Sequence, residues 1–186
     1  MKSRDRLPAV DNLFKLSQQN ILILNVVGKL SDGRFVCAFP SRWDAGTAWK
    51  NPPYYPFQLA YLSALLKRDL KGAKVKMVDP NWYRSDVPQT LQLLGGIQAL
   101  ADVVITECSA LTYHDMTLLM AGYRTLWPKS KWWLTGPYGA NNEAKAIADG
   151  WDMVFRGEYE QDVLWTLKGY DLRDDLGNYR TIPSGV

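Results

Sequence analysis

The sequence predicts an α/β domain built on a doubly wound, mostly parallel five-stranded sheet. Three observations predict it. Short apolar runs alternate with longer segments of helical periodicity at intervals of about 20–30 residues, the rhythm of right-handed βαβ crossovers. The first run is apolar almost throughout, as in a strand covered on both faces. Three later runs end in small-residue turns, at 106–112, 135–140 and 156–160. In a parallel sheet such turns share one edge, and that edge binds ligands.

Residues 21–27 give strand one, which ends at Gly28. Asp32 and Gly33 then suit a tight hairpin turn. Residues 40–56 form a long segment without periodicity, rich in Trp43, Trp49, Tyr54 and Tyr55. A loop of this length in a compact domain is usually functional or mobile. Pro56 opens a helix with apolar residues at helical spacing through Arg68. Residues 74–79 are strand two, 85–100 a helix weakened at Gly95 and Gly96, and 102–106 strand three. Residues 113–126 form a helix closed by Pro128, followed by strand four at 131–135. A short helix at 141–148 stops at Gly150, strand five spans 152–155, and the last helix runs from Glu158 to Leu167. The expected organisation is an N-terminal extension at 1–19, one domain at 20–168 and a polar connector at 169–186.

Composition narrows the function classes. The chain has 186 residues, 47% hydrophobic and 22% charged, enough for one domain with a real core. The net charge of +3 comes from dispersed basic residues, so no nucleic-acid partner is expected. No apolar run reaches the roughly 20 residues of a membrane span. The basic N-terminus lacks the apolar stretch of a secretory signal. The two cysteines, Cys37 and Cys108, lie far apart and read as reduced thiols in a cytoplasmic protein.

The order of motifs resembles the N-terminal cobalamin-binding domain of B12-dependent radical SAM enzymes. The resemblance rests on residues 53–66, the run ending at Asp79, residues 102–105, the turn at 135–140 and the segment 151–160. It covers roughly 20–168. Family segments read P-P-L-G-L-A-Y-L, V-x-x-x-D, D-x-V-G, G-G-P-H-A and G-E-G-E. Here Thr135 replaces the first Gly of G-G-P-H, Tyr138 its His, and Tyr159 the second Gly of G-E-G-E. The resemblance implies a flavodoxin-like or Rossmann-like B12-binding fold with the corrin on the carboxyl edge. It also implies a radical SAM partner domain outside these residues. Two cysteines cannot supply the C-x-x-x-C-x-x-C cluster motif, so no iron–sulfur cluster and no turnover are expected of this chain alone.

Several residues follow as cofactor contacts by resemblance: Tyr54, Tyr55, Thr106, Cys108, Ser109, Ala110, Leu111, Tyr113, Gly136, Pro137, Tyr138, Gly139, Arg156, Gly157 and Glu158. Each also has a plain structural reading. Ser109 can cap a helix; Gly136 and Gly139 can serve a tight turn; Glu158 can favour a helix dipole; Cys108 can be a buried thiol. The loop aromatics either pack on the corrin, cover the sheet edge or meet the partner domain. Related proteins often place a histidine below cobalt from a D-x-H-x-x-G loop after strand one. Residues 28–56 contain no His, and His114, the only one in the chain, follows strand three. Base-off cobalamin without a His ligand is therefore expected, its lower face covered by water or by Tyr113, Leu111 or the 43–55 loop. Asp79 reads as a turn residue, because strand one is followed by no G-x-G-x-x-G. Glu143 reads as solvated surface. Two other functions stay open: an interaction or regulatory domain without cobalamin, and a small α/β transferase or nucleotide-binding enzyme.

Overall fold

The computed structural model describes residues 19–28, 33–37, 47–49 and 55–170. The elements are β1 Asn20–Leu24, β2 Phe35–Cys37, β3 Thr47–Trp49, α1 Phe57–Asp69, β4 Lys74–Val78, α2 Val87–Gly96 and β5 Val103–Glu107. They continue with α3 Tyr113–Leu126, β6 Lys131–Thr135, α4 Pro137–Asn141, α5 Glu143–Ala148, β7 Met153–Val154 and α6 Tyr159–Leu167. Five strands pair in the order β4-β1-β5-β6-β7, all parallel. This is the flavodoxin-like order, whose direction reverses between β1 and β5.

Side-chain alternation along β1 explains the two layers of helix. Ile21 and Ile23 face one way and join Leu62 and Leu66 of α1 and Val163 and Leu167 of α6. Leu22 and Leu24 face the other way and join Leu94 of α2 and Met116 and Tyr123 of α3. A strand buried on both faces cannot show polar alternation. The edge strand β4 behaves differently. Lys74 and Lys76 are exposed there, and Lys76 Nζ donates to Ile97 O at 3.2 Å. Charged side chains on an edge discourage further strand pairing.

The helix ends follow local chemistry. Asp86 caps α2 by accepting from Gln89 N at 3.1 Å, while the Gln89 side chain accepts from Asp86 N at 3.0 Å. This reciprocal box starts the helix later than the expected 85. The paired glycines end it at Gly96, short of the expected 100. Gly150 closes α5 with φ +100, a conformation that other residues rarely adopt.

Four further expectations change. The pairing of β1 stops near Asn25, although residues 21–28 are buried throughout. Asn25 N reaches Val78 O, but Asn25 Oδ1 then accepts from Val26 N at 2.8 Å and takes that donor from the ladder. Helical structure after β6 begins at Pro137 rather than 141, because proline suits a first helical position. β7 keeps only two residues of the expected 152–155, pairing with β6 alone. Finally, β2 pairs antiparallel with β3, so the segment 40–56 contains a strand.

Candidate functional site

The carboxyl edge is assembled from the turns after β1, β4, β5, β6 and β7. Beside the reversal point, Asp79 Oδ1 accepts from Asn25 Nδ2 at 2.9 Å and from Asn81 N at 3.0 Å. Asn81 Nδ2 donates to Val26 O at 3.0 Å. Asp79 is thus the turn residue expected, tying the ends of β1 and β4 together. Burial raises its pKa above the usual carboxylate range, against the opposing pull of these hydrogen bonds.

The turn after β5 is tightly self-bonded. Ser109 N donates to Thr112 Oγ1 at 3.0 Å, and Thr112 N and Tyr113 N both donate to Ser109 O. Ser109 therefore shapes the turn, and Thr112 occupies the position before α3. Ala110 and Leu111 stand exposed on the edge. Thr106 and Cys108 do not: their side chains are buried on the α3 face. Burial, and then the nearby Glu107 charge, push the Cys108 thiol well up, the behaviour of an inert buried cysteine. Tyr113 also turns away from the edge. Its hydroxyl donates to Asp149 Oδ2 at 2.7 Å, and its ring lies 4.5 Å from that of Tyr138. It is only 5% exposed, and its ring also stacks near that of Trp151 at 6.2 Å. His114 is exposed at the start of α3.

The turn after β6 is shaped by close approach. Gly136 has φ +89, and a Cβ there would lie 2.6 Å from Glu107 Cγ and 3.2 Å from Glu107 Oε1. Gly139 faces inward; a Cβ would meet Leu134 Cγ at 2.8 Å. Gly139 therefore serves helix-on-strand packing. Pro137 opens α4, and Asn142 Nδ2 donates to Tyr138 O at 2.9 Å.

After β7, Arg156 Nη2 pairs with Glu143 at 2.6 Å. Glu143 was expected on solvated surface; its side chain is only 15% exposed and anchors Arg156. Gly157 has φ +63, and a Cβ there would meet nothing within 4 Å. Glu158 precedes α6 without a side-chain cap. Tyr55 is exposed before α1, its ring edge-on to Phe57 at 5.3 Å. Tyr54 and Trp43 lie outside the described residues.

The contact that joins the three turns was not foreseen. Tyr159, fully buried in the third turn, donates from its hydroxyl to Glu107 Oε2 at 3.0 Å. Glu107, at the end of β5, lies against Gly136 of the second turn. One carboxylate therefore links 106–112, 135–140 and 156–160. Burial first, then the charges of Glu107 and Glu160, hold the Tyr159 phenol well above its ordinary pKa. The sequence signal was weak: a glutamate where a strand ends, and a tyrosine 52 residues later where the resembling family has glycine.

Among the described residues, no group of three or more His, Cys, Asp and Glu side chains is placed to hold a metal ion. No helix among them is long and apolar enough to cross a membrane. No protein-family model matches the chain, and no curated protein and no solved structure matches it either.

Proposed function

We propose that this chain is a cobalamin-binding module that seats the corrin on the carboxyl edge of the sheet without a histidine below cobalt. The observation that carries the proposal is topological. The β4-β1-β5-β6-β7 order puts the three small-residue turns side by side along the carboxyl edge, with the 106–112 turn next to the strand reversal, where doubly wound folds bind ligands. The residues present fit a large flat ligand in two respects. Gly157 keeps open space where a side chain would stand, and Ala110 and Leu111 offer a small exposed platform. Ala110, Leu111, Gly136, Gly157 and Tyr55 would hold the group, with Ser109 and Thr112 fixing the turn beneath it. When bound, cobalamin supplies methyl-transfer or radical chemistry at cobalt; this chain positions it and shields it from water. A radical SAM domain would be the partner.

A second reading has its own support: an interaction domain that binds no cobalamin. Glu107 and Tyr159 already occupy the notch against Gly136.

Incubation with hydroxocobalamin followed by desalting separates the two. The first reading expects retained cobalamin and a base-off visible spectrum. An unchanged spectrum with no retention would overturn the first.

A further inference from the structure

We propose that the amino edge of the sheet, opposite the carboxyl edge, binds a small amphiphile with an apolar body and an anionic head, such as a medium-chain carboxylate. The inference is independent of what occupies the carboxyl edge.

Two clefts open at the amino edge and share Asn20, Leu100 and Ala101. The first, of about 330 Å³, lies between β1, β4 and the loop 98–101. The second, of about 310 Å³, lies between that loop and the end of α3. Each is at the small end of ligand-site volumes. The loop between them is held on both sides. Tyr123 Oη donates to Ala99 O and accepts from Ala101 N. Gln98 stands at φ +48, in the left-handed region that glycine favours, although Gly95 and Gly96 lie close by in the chain. Strain of this kind, held by its surroundings, concentrates at functional sites.

The linings differ. The second cleft is walled by Leu100, Leu126, Trp127 and Pro128, and both leucines are half-exposed. Its one carboxylate, Asp102, offsets its one ammonium, Lys129. Asn20 N holds Asp102 Oδ2 at 2.8 Å, and among the described residues no bond uses Oδ1, so this cleft disfavours a further anion. The first cleft has Lys74 and Lys76 on its rim and no carboxylate. Lys76 Nζ reaches only a carbonyl, Ile97 O, and among the described residues the Lys74 ammonium has no bonding partner. Charge therefore places an anionic head beside the lysines and the apolar body against Leu126 and Trp127. A ligand filling both clefts crosses from β4 past β1 to β5, two strand spacings or about 10 Å, the length of an extended medium-chain carboxylate.

Isothermal titration calorimetry with decanoate and with decanol, which keeps the body but lacks the charge, tests the proposal. Decanoate should bind saturably. Lys74→Gln, a change at an exposed position, should weaken decanoate about two- to five-fold, the worth of one exposed ion pair, and leave decanol unchanged. Leu100→Ser should weaken both ligands. In the unmutated chain, added salt should weaken decanoate relative to decanol, an arm that needs no variant to fold. Equal responses of the two ligands to Lys74→Gln or to salt would overturn the charged head. Undiminished binding by Leu100→Ser, or no saturable binding of decanoate, would overturn the site. Sedimentation with phosphatidylglycerol vesicles without binding of soluble decanoate would overturn it too, in favour of a membrane surface.

Discussion

The two edges of the sheet use carboxylates in opposite ways. At the amino edge they close backbone. Asp102 accepts from Asn20 N at 2.8 Å, and Asp152 accepts from Trp132 N at 2.7 Å while pairing with Arg124 and Lys131. Each stands at the start of one strand and bonds the start of its neighbour. At the carboxyl edge, turn side chains such as Asn25, Asn81 and Thr112 do that closing. The carboxylate at the end of β5 bonds a tyrosine instead. The amino edge is thus fastened for stability. The carboxyl edge keeps an anion in a glycine-lined notch, an arrangement that backbone closure does not require.

Gly136→Ala should break this distinction most severely. It places a side chain at φ +89 and drives a Cβ to 2.6 Å from Glu107 Cγ. The left-handed backbone costs about 1–2 kcal/mol and crowding adds about 1–3. Urea unfolding followed by tryptophan fluorescence should register the sum. Adding Glu107→Ala should recover about 1 kcal/mol of the crowding, whereas strict additivity would show that the two residues do not share a notch.

Asp152→Ala comes next. It leaves the buried Trp132 N–H without its acceptor and releases Arg124, costing about 2 kcal/mol. In a domain of this size the melting temperature should fall by roughly 4–8 °C. Glu107→Gln should cost less than about 1 kcal/mol, since the bond from Tyr159 survives. A larger loss at Glu107 than at Asp152 would reverse the contrast between the edges.

The same contrast explains what the sequence could and could not reveal. The parallel sheet was legible because its central strand is apolar on both faces; Ile21 and Leu22 feed two different cores. Two of the three turns were legible because Gly136, Pro137 and Gly157 mark them; the turn at 106–112 shows only small residues after a strand. The start of α4 at Pro137 was missed although proline directly after Gly136 signals a first helical position. Strand β3 was missed because three residues carry too little periodicity. Glu107 was passed over for a physical reason. Its place depends on a glycine beyond the next helix and strand and on a tyrosine at the start of another helix, and no local pattern encodes that meeting. Glu143 misled in the same way, since its partner Arg156 lies 13 residues away across a strand.

The smallest effect is expected at Asp79, which lies on the carboxyl edge yet closes backbone as the amino-edge acids do. Asp79→Asn keeps an oxygen to accept from Asn25 and Asn81, so the turn should survive. What it removes is a partly buried charge. Burial raises the Asp79 pKa in the folded state above its unfolded value of about 3.9. The neutral form is therefore favoured by folding; that advantage is complete below the unfolded pKa and is lost as pH rises through the folded one. At pH 7 the wild-type chain bears the cost of the charge, and Asp79→Asn should be more stable by a few tenths of a kcal/mol, or about equal. Near pH 4 the difference should shrink, because wild-type Asp79 then takes up its proton. Urea midpoints at the two pH values measure both. A loss above about 1 kcal/mol at pH 7 would mean that the ionised carboxylate holds the β1 and β4 turns together, and that both edges are fastened by charge.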